Sequence, residues 1–382
     1  MDDGMEIFLA APPGLEGWLL EEVAQAGFAA PAAVPGGVVT RGDWPEVWRA
    51  NLVLRGAARV LVRIGAFRAL HVAQLDKRAR RFAWAEHLRA DVPVRVEATC
   101  RQSRIWHTGA VVQRVERALR EEAGVAIAPA ATPDAPADPH TVTLKVRLED
   151  DLCTFSLDTS GAPLHRRGHK QAVGKAPMRE TLAALFLRAC GHVPGEALVD
   201  PMCGSGTFVL EAAGMAAGLP PGRSRSFAFE QLASFDVAAW GRLRAQAGPA
   251  APAAALVGSD RDQGAIAGAV ANAERAGVAD RVAFHCAAIS DLTPPDGPPG
   301  LVIVNPPYGA RIGDRGPLLA LHGALGAVLR ARFAGWRVGL VTAAPELARA
   351  TGLPFDTPGP PVPHGGLKIR LHRTGPLRGG GR

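Results

Sequence analysis

From residue 178 onward, short apolar runs alternate with segments of helical periodicity, and this alternation constrains the fold more than any other feature. The runs typical of strands fall at residues 197–200, 255–260, 281–285, 301–304 and 337–342. Because strands that alternate with helices form a mostly parallel, doubly wound sheet, we predict an α/β fold for this part of the chain. A last run, in which Leu367, Ile369 and Leu371 alternate with polar residues, is expected to form a half-exposed antiparallel strand at one end of the sheet.

The first of these strands ends at Asp200 and leads into a tight glycine turn. Gly204 and Gly206 would let a ligand approach the backbone closely, and a helix is expected to begin near Thr207. A dinucleotide fingerprint would need a third glycine, which this turn lacks. A carboxylate at the strand end suits a cationic ligand, and S-adenosylmethionine (SAM) carries an α-amino group and a sulfonium. The turn therefore indicates a SAM site, and the alternative is a generic strand–helix turn.

The second strand ends at Asp260, in the sequence Gly258-Ser259-Asp260-Arg261-Asp262. An acid at this position commonly holds ribose hydroxyls, so Asp260 is a candidate ligand of a nucleoside. The alternative is a helix N-cap formed by Asp260 or Asp262. Both interpretations hold together if Asp260 binds the ribose and Asp262 caps the helix. Asn272, inside that helix, is expected to be a polar surface residue.

The apolar run 301–304 is followed directly by Asn305, Pro306, Pro307 and Tyr308, and Tyr308 is the only tyrosine among 382 residues. The Asn305 side-chain oxygen and the Pro306 carbonyl could both accept hydrogen bonds from one exocyclic amine of a nucleobase. The Tyr308 ring could stack on the same base. This group therefore predicts a site that methylates a base nitrogen, and the alternative is a proline-rich turn after a strand.

Charge and cysteine usage limit the class of protein and its compartment. The net charge of +7 and the isoelectric point near 9.6 favour an anionic partner, first of all nucleic acid, over a basic enzyme without a polyanion. The cysteines are odd in number and widely spaced, which argues against a disulfide framework or a zinc site. The acidic N-terminus and the lack of any apolar run of about 20 residues predict a soluble cytoplasmic protein without a membrane span.

The part before residue 161 has the pattern of two small α+β units. In the first unit, strands are predicted at residues 6–10, 37–40 and 59–64, with a helix over 44–54. In the second unit, strands are predicted at 92–98, 141–148 and 152–157, with a helix over 109–123 and an Ala/Pro-rich loop over 128–139. A basic stretch then follows at 165–180. Its candidate RNA-binding residues are Arg166, Arg167, His169 and Lys170, and the alternative is a solvated linker.

Asp200 to Thr207, Gly258 to Asp260 and Asn305 to Tyr308 occur in an order that resembles the class I SAM-dependent methyltransferases of exocyclic amines. Residues 157–161, 164–168 and 176–184 resemble the junction in bacterial THUMP-domain methyltransferases. The chain is most similar to the large-subunit ribosomal RNA guanine-N2 methyltransferase family. Residues 12–16, 52–55, 225–230 and 305–311 also match that family.

This resemblance implies three parts: a ferredoxin-like unit at 1–65, a THUMP RNA-binding domain at 66–160, and a Rossmann-like class I methyltransferase with a seven-stranded mixed sheet at 161–382. It implies SAM as cofactor, RNA as partner (23S ribosomal RNA or its assembly precursor), no metal and a monomeric state. The implied cofactor-binding residues are Asp200, Met202, Cys203, Gly204, Gly206, Thr207, Asp260 and Ala288. The implied catalytic residues are Asn305, Pro306, Pro307 and Tyr308.

The sequence departs from the family pattern at Ala288, where many members have an acid suited to the adenine amine. Adenine recognition would then depend on backbone groups or on Asp291. Two alternative functions stay open on the residues alone. One is a DNA adenine-N6 or cytosine-N4 methyltransferase with the same Asn-Pro-Pro-Tyr chemistry, and the other is a non-catalytic RNA-binding or ribosome-assembly factor.

Overall fold

A computed structural model describes residues 4–130, 138, 140–171, 178–246, 248–307 and 316–379. The chain divides into two compact units. The N-terminal unit comprises Met1–Ala11, Leu20–Leu164 and Arg225–Gln246. The C-terminal unit comprises Pro12–Leu19, His165–Ser224 and Ala247–Arg382.

The strands of both predicted N-terminal units belong to one seven-stranded sheet. Its strands are β1 (Met5–Ala10), β2 (Ala29–Val34), β3 (Gly37–Gly42), β4 (Arg59–Arg68), β5 (Val94–Arg101), β6 (Val142–Glu149) and β7 (Leu152–Asp158), in the order β2-β3-β1-β4-β7-β6-β5. The β5–β6 pair is parallel and the other pairs are antiparallel. The β4–β7 pair joins the two halves of this sheet, and the predicted boundary at residue 65 lies inside β4.

The helices of the chain follow its apolar periodicity, most clearly in α4, where Val111, Val115 and Leu119 are buried. The first four are α1 (Glu16–Gln25), α2 (Trp44–Val53), α3 (Val72–Arg80) and α4 (Thr108–Ala123). The later ones are α5 (Glu180–Ala189), α6 (Thr207–Ala216), α7 (Val237–Arg244), α8 (Gln263–Ala276), α9 (Gly316–Arg332) and α10 (Pro345–Ala350). Helix α4 ends at Gly124, whose φ of +64° is accessible to glycine at little cost.

The C-terminal unit contains the predicted seven-stranded mixed sheet, which confirms the fold class. Its strands are β8 (Leu198–Asp200), β9 (Leu256–Asp260), β10 (Ala283–Cys286), β11 (Leu301–Val304), β12 (Arg337–Thr342), β13 (Val362–His364) and β14 (Leu367–Arg373), in the order β10-β9-β8-β11-β12-β14-β13. Strands β8 to β12 pair in parallel, and β14 is antiparallel to β12 as predicted. However, β14 is not the outermost strand, because the short β13 pairs with its far side.

Residues 225–246 belong to the N-terminal unit, although they lie within the predicted methyltransferase domain 161–382. Local contacts explain this assignment. The Arg225 guanidinium donates hydrogen bonds to the carbonyls of Ser160, Ala162 and Pro163 at 3.0, 2.6 and 2.8 Å. The Phe229 ring stacks on Trp48 with a centroid separation of 6.0 Å. The boundaries of the two compact units thus differ from those of the predicted domains 1–65, 66–160 and 161–382. Those three domains stay a prediction.

Candidate functional site

The carboxyl ends of three neighbouring parallel strands bring the predicted site residues to one edge of the C-terminal sheet. Asp200 ends β8, Asp260 ends β9, and Asn305 follows β11 directly. Because β8 lies between β9 and β11, these residues lie side by side at that edge. Ligands of open α/β sheets bind outside this edge, so the fold alone makes it the candidate site.

The glycine turn between β8 and α6 adopts a conformation that requires its glycines. Gly206 has φ +81°, and a Cβ there would lie 3.0 Å from the Phe284 ring. Gly204 has φ +51°, and a Cβ there would point into open space, which leaves its backbone accessible. The Cys203 amide donates to the Ser259 carbonyl of β9 at 2.9 Å, so the turn is tied to the sheet. Burial raises the pKa of the Cys203 thiol, which fits a packing role better than a nucleophilic one.

The two aspartates at this edge differ in environment. Asp200 is buried, and its Oδ1 accepts a hydrogen bond from the Met202 amide at 3.1 Å. Burial, with a smaller contribution from the negative charge of Asp260, raises the pKa of Asp200 to about 8. Asp260 holds the turn itself, because its Oδ2 accepts from the Gly204 amide at 3.0 Å and its Oδ1 from the Asp262 amide at 3.0 Å.

The helix cap predicted for this segment is confirmed at Asp262. Its Oδ1 accepts from the amides of Gly264 and Ala265 at 2.8 and 3.3 Å, in the first turn of α8. The capping interaction leaves Asp260 to face the ligand side of the turn. Asp262 therefore forms the cap, and the ribose-binding role of Asp260 stays a prediction.

A cavity of about 650 Å³ opens at this edge, a volume typical of small-molecule sites. The predicted site residues that line it are Met202, Gly204, Asp260, Ala288 and Pro307. Other predicted residues support it from beneath rather than line it, namely Asp200, Cys203, Gly206 and Thr207. The cavity thus joins the glycine turn, the end of β9 and the segment after β11 in one concave surface.

Ala288 lines this cavity with its neighbours Ala287 and Ile289. The Ala287 amide donates to the Asp260 carbonyl at 3.0 Å, which holds this segment against the end of β9. Asp291 is exposed, accepts from the Ser290 hydroxyl at 3.2 Å, and is not part of the described cavity lining. Of the two alternatives for adenine recognition, the geometry favours groups around Ala288 over the Asp291 carboxylate.

Asn305 carries an unsatisfied buried oxygen. No donor among the described residues reaches its Oδ1, although that atom is buried. Buried polar atoms normally have a partner, so this acceptor, two residues before the cavity-lining Pro307, is a candidate to receive a donor from a bound substrate. Pro306 is buried and Pro307 is exposed at the cavity. Tyr308, predicted to stack on the base, lies outside the described residues.

The predicted RNA-binding residues of the junction are mostly buried, which the sequence did not predict. Arg167 is 2% exposed, and its Nε lies 3.1 Å from Oε1 of the equally buried Glu211. The Lys170 ammonium pairs with Glu180 at 3.1 Å and donates to the Thr207 hydroxyl at 3.2 Å. These two cations therefore hold the interior of the C-terminal unit, and the interpretation of them as RNA contacts is wrong for this arrangement.

The other two members of that set differ from each other. His169 is buried, and burial lowers its pKa to about 4, so the ring is neutral at physiological pH. Arg166 is exposed. Arg166 is consequently the member of the predicted set whose position suits a nucleic-acid contact.

Asn272 is a site-supporting residue that the sequence analysis took for a surface residue. Its side chain is fully buried, and its Nδ2 donates to the Ser205 carbonyl in the glycine turn at 3.1 Å. Its Oδ1 accepts from the Gln171 amide at 3.1 Å. Asn272 shares the buried face of α8 with Ala269 and Ala273, and this spacing was the available signal.

Two further observations concern the described residues only. No group of three His, Cys, Asp or Glu side chains within the described ranges could hold a metal ion. None of the described helices combines the length and the apolar character that a membrane span requires.

Two family models match the chain. The model described as the RMKL-like methyltransferase domain matches residues 167–354, and the model of the RlmL ferredoxin-like domain matches residues 6–61. The first match contains the glycine turn, Asp260 and Asn305. The second contains strands β1 to β3 and the start of β4.

Similar proteins agree with these matches. A ribosomal RNA large subunit methyltransferase K/L from Chromohalobacter salexigens is 37% identical over 91% of this chain and 49% of its own length. The chain therefore spans about half the length of the curated relatives it matches.

Solved structures cover the whole chain. One is described as a "possible methylase" from Clostridium difficile 630, with 26% identity, a TM-score of 0.85 and coverage of 99% of this chain and 100% of that one. Another is a "predicted N6-adenine-specific DNA methylase" from Listeria monocytogenes, with 28% identity, a TM-score of 0.84 and coverage of 98% and 97%. In this chain a match to the RlmL ferredoxin-like domain thus precedes a match to the RMKL-like methyltransferase domain, and the chain is similar to the methyltransferases named above.

Proposed function

We propose that this chain transfers a methyl group from SAM to an exocyclic amine of a base in RNA, and that the target is guanine N2 in 23S ribosomal RNA. The observation that carries the proposal is the buried, unsatisfied Oδ1 of Asn305 at the carboxyl end of β11. It stands beside a cavity whose volume and lining suit a nucleoside cofactor.

The acidic residues of the site fit a cationic nucleoside. Asp200 is a buried carboxyl whose pKa of about 8 means that it lacks a compensating positive charge. The α-amino group of SAM would supply that charge, with Gly204 allowing close approach along the turn. Asp260 would hold the ribose, and the backbone near Ala288 would contact the adenine. When bound, SAM supplies an electrophilic methyl carbon on sulfur.

The chain's own residues would orient the nucleophile. Asn305 Oδ1 and the Pro306 carbonyl accept the two hydrogens of the target amine, which points the nitrogen lone pair at the methyl carbon. Transfer would form one nitrogen–carbon bond as the carbon–sulfur bond breaks, with the thioether S-adenosylhomocysteine as leaving group, and the amine would then lose one proton to solvent. Tyr308 would stack on the extruded base. Positioning is the main contribution in this mechanism, since it requires neither a metal nor a covalent nucleophile.

The choice of RNA rests on the relatives and on charge. The Chromohalobacter salexigens relative carries a ribosomal RNA large subunit methyltransferase name, and the chain covers about half of it. The net charge of +7 favours a polyanion. The proposed state is a monomer in the cytoplasm.

The direct test is methyl transfer from labelled SAM to undermethylated 23S RNA, with mass spectrometry of the nucleosides. We expect N2-methylguanosine, and Asn305→Ala should lower kcat by about 10²–10³-fold because one oriented hydrogen bond is lost. SAM affinity should change little, since Asn305 contacts the other substrate. Ser290→Ala, an exposed polar change close to the cavity, is the matched control and should keep full activity. Unchanged kcat in Asn305→Ala would refute the assigned role.

The name of the Listeria monocytogenes structure favours one alternative, a DNA methyltransferase that acts on adenine N6. Duplex and single-stranded DNA belong in the same assay. Methyladenine in DNA without methylguanine in RNA would replace our proposal by this one. Absence of SAM binding in calorimetry would instead favour a non-catalytic RNA-binding factor.

A further inference from the structure

Trp106 stands out on the surface of the N-terminal unit. Its side chain is 77% exposed, more than any other large apolar residue that the structure describes. It lies in residues 102–107, which connect β5 to α4 and which we name the Trp106 loop. Single exposed apolar residues are common in proteins, so exposure alone carries little weight. The inference depends instead on the hydrogen bonds that hold this loop and on the exposed arginines near Trp106 in the sequence.

The Trp106 loop is anchored from below by the turn between β6 and β7. Asp151 Oδ1 accepts a hydrogen bond from the Arg104 amide at 2.7 Å, and the Asp151 amide donates to the Ser103 hydroxyl at 3.0 Å. The Ser103 hydroxyl also donates to the Arg101 carbonyl at 2.9 Å. Ile105 is buried directly before the exposed indole. The indole is therefore presented on a fixed loop, which lowers the entropy lost on binding.

The turn below this loop has a defined backbone, because Asp150 and Asp151 join β6 to β7 as a two-residue hairpin turn of the type that requires positive φ at both positions. Gln102, Asp150 and Asp151 have φ values of +49°, +48° and +62°, in the left-handed region that non-glycine residues rarely adopt. The paired strands β6 and β7 therefore fix the position of Asp151, which in turn holds the Trp106 loop.

Two exposed arginines belong to the same stretch of chain as the indole, one at the end of β5 and one in the Trp106 loop. Arg101 is 72% exposed and Arg104 is 65% exposed, and each lies 3.8 Å from a carboxylate, of Glu149 and Asp151 respectively. Exposed ion pairs at this distance are weak, so both guanidiniums are available to exchange the carboxylate for a phosphate. Aromatic rings that take bases and arginines that take phosphates are the recurrent elements of single-stranded RNA binding.

We propose that the Trp106 loop is a stacking platform for an unpaired base of the RNA substrate, with Arg101 and Arg104 contacting its flanking phosphates. This inference rests on the proposed function, because it concerns the same substrate. Gln102 and His107 are also exposed, so the surface around the indole is polar. That setting suits nucleic acid better than a protein partner, whose contact surfaces are depleted of charge at their centre.

The test measures the affinity of the full chain for a fluorescein-labelled single-stranded RNA as a function of salt. Stacking is worth ~1–3 kcal/mol per base, so Trp106→Ala should weaken binding by about five- to 150-fold. Trp106→Phe keeps a stacking ring and should recover most of the affinity. The slope of log K against log salt should not change in either variant, because the indole neutralises no phosphate. Arg104→Gln should lower the slope by about 0.7.

Val237→Ala is the matched control, since Val237 is an apolar side chain of α7 that is 73% exposed. It should leave RNA affinity unchanged. SAM affinity by calorimetry and kcat at saturating RNA should stay at the wild-type level in Trp106→Ala, with only KM for RNA raised.

Failure of the platform differs from failure of the proposed function. If the wild type binds and methylates RNA and Trp106→Ala does so equally well, the platform is refuted and the proposed function stands. If Trp106→Ala keeps RNA affinity but loses self-association in ultracentrifugation, the loop is a protein contact and the platform is again refuted. If the wild type binds no RNA at low salt, both proposals fall.

Discussion

The two sheets of this molecule are covered differently. In β6 of the N-terminal sheet, buried residues alternate with partly exposed ones, so one face is packed and the other is open to water. In β11 of the C-terminal sheet, every residue is buried, because helices cover both faces of a parallel sheet. A binding site of the N-terminal unit can therefore lie on the open face of its sheet. In the C-terminal unit, a binding site can lie only at the ends of the strands.

Charged residues follow the same division. On the N-terminal sheet, Arg147 pairs with Glu149 at 2.5 Å while both side chains stay partly exposed. In the C-terminal unit, Arg167 pairs with Glu211 in the interior, with side-chain exposures of 2% and 4%. Similar ion pairs therefore have different consequences, since a buried charge without its partner is far more costly than an exposed one.

The largest expected effect contrasts these two pairs. Arg167→Ala removes the guanidinium that pairs with the buried Glu211 carboxylate and should lower the free energy of unfolding by about 3–5 kcal/mol. Arg147→Ala should cost only about 0–1 kcal/mol, because water replaces the exposed guanidinium. Urea denaturation of both variants at one pH measures the difference. Equal losses would show that the contrast in burial does not control stability here.

A double variant sharpens this contrast. Arg167→Met with Glu211→Leu removes both charges and should recover most of the lost stability, since apolar replacement of a buried pair is often neutral. A double variant as unstable as Arg167→Ala would mean that packing of the guanidinium, and not charge, explains the loss.

The next effect concerns Asp200 and its raised pKa. Since the pKa of about 8 in the folded chain exceeds the ordinary value of 3.8, the neutral acid favours the folded state. That contribution is complete below about pH 4 and is lost as the pH rises through about 8. Asp200→Asn stays neutral, so between pH 5 and 8 the unliganded wild type should lose more unfolding free energy than the variant. Thermal unfolding across this range checks the sign.

Cofactor binding should reverse this balance. A bound cation would stabilise the Asp200 carboxylate, so binding near pH 7 should release about one proton from the wild type and none from Asp200→Asn. Loss of a buried charge partner costs about 2–5 kcal/mol of binding, and SAM affinity should fall accordingly. Calorimetry in two buffers with different ionisation enthalpies gives both quantities. Equal affinity and equal proton release in the two proteins would exclude Asp200 as the partner of the amino group.

Strongly patterned elements were predictable from sequence, and elements held by tertiary contacts were not. Strands β11 and β12 begin and end at the predicted residues, because β11 is an unbroken apolar run and β12 is mostly apolar between Arg337 and Thr342. Strand β2, Ala-Ala-Pro-Ala-Ala-Val, was missed because its residues have low strand propensity. It forms as an edge strand against β3, with the Thr40 hydroxyl donating to the Ala29 carbonyl at 2.6 Å.

The site shows the same limit. The order of motifs predicted that Asp200, Asp260 and Asn305 meet at one edge, because parallel strands place their carboxyl ends together. The local sequence pattern could not predict the burial of Arg167, because its partner Glu211 lies 44 residues away in α6. A run of basic residues has the same sequence pattern whether its side chains face water or pair with an internal carboxylate. Only the tertiary structure distinguishes these two cases.

The smallest expected effect concerns α3 and the residue that follows it. Lys77, Arg78 and Arg81 are exposed and have no ion-pair partner among the described residues, whereas Arg80 pairs with three carboxylates. If α3 contacts bound RNA, each of Lys77→Gln, Arg78→Gln and Arg81→Gln should weaken binding a few-fold and lower the salt slope by about 0.7–0.9. Arg80→Gln is the matched control on the same helix and should change the slope least, because its charge is already compensated. If the slope fell most in Arg80→Gln, Arg80 would exchange its three carboxylate partners for phosphate when RNA binds. The distinction between the unpaired cations and the paired Arg80 would then be wrong.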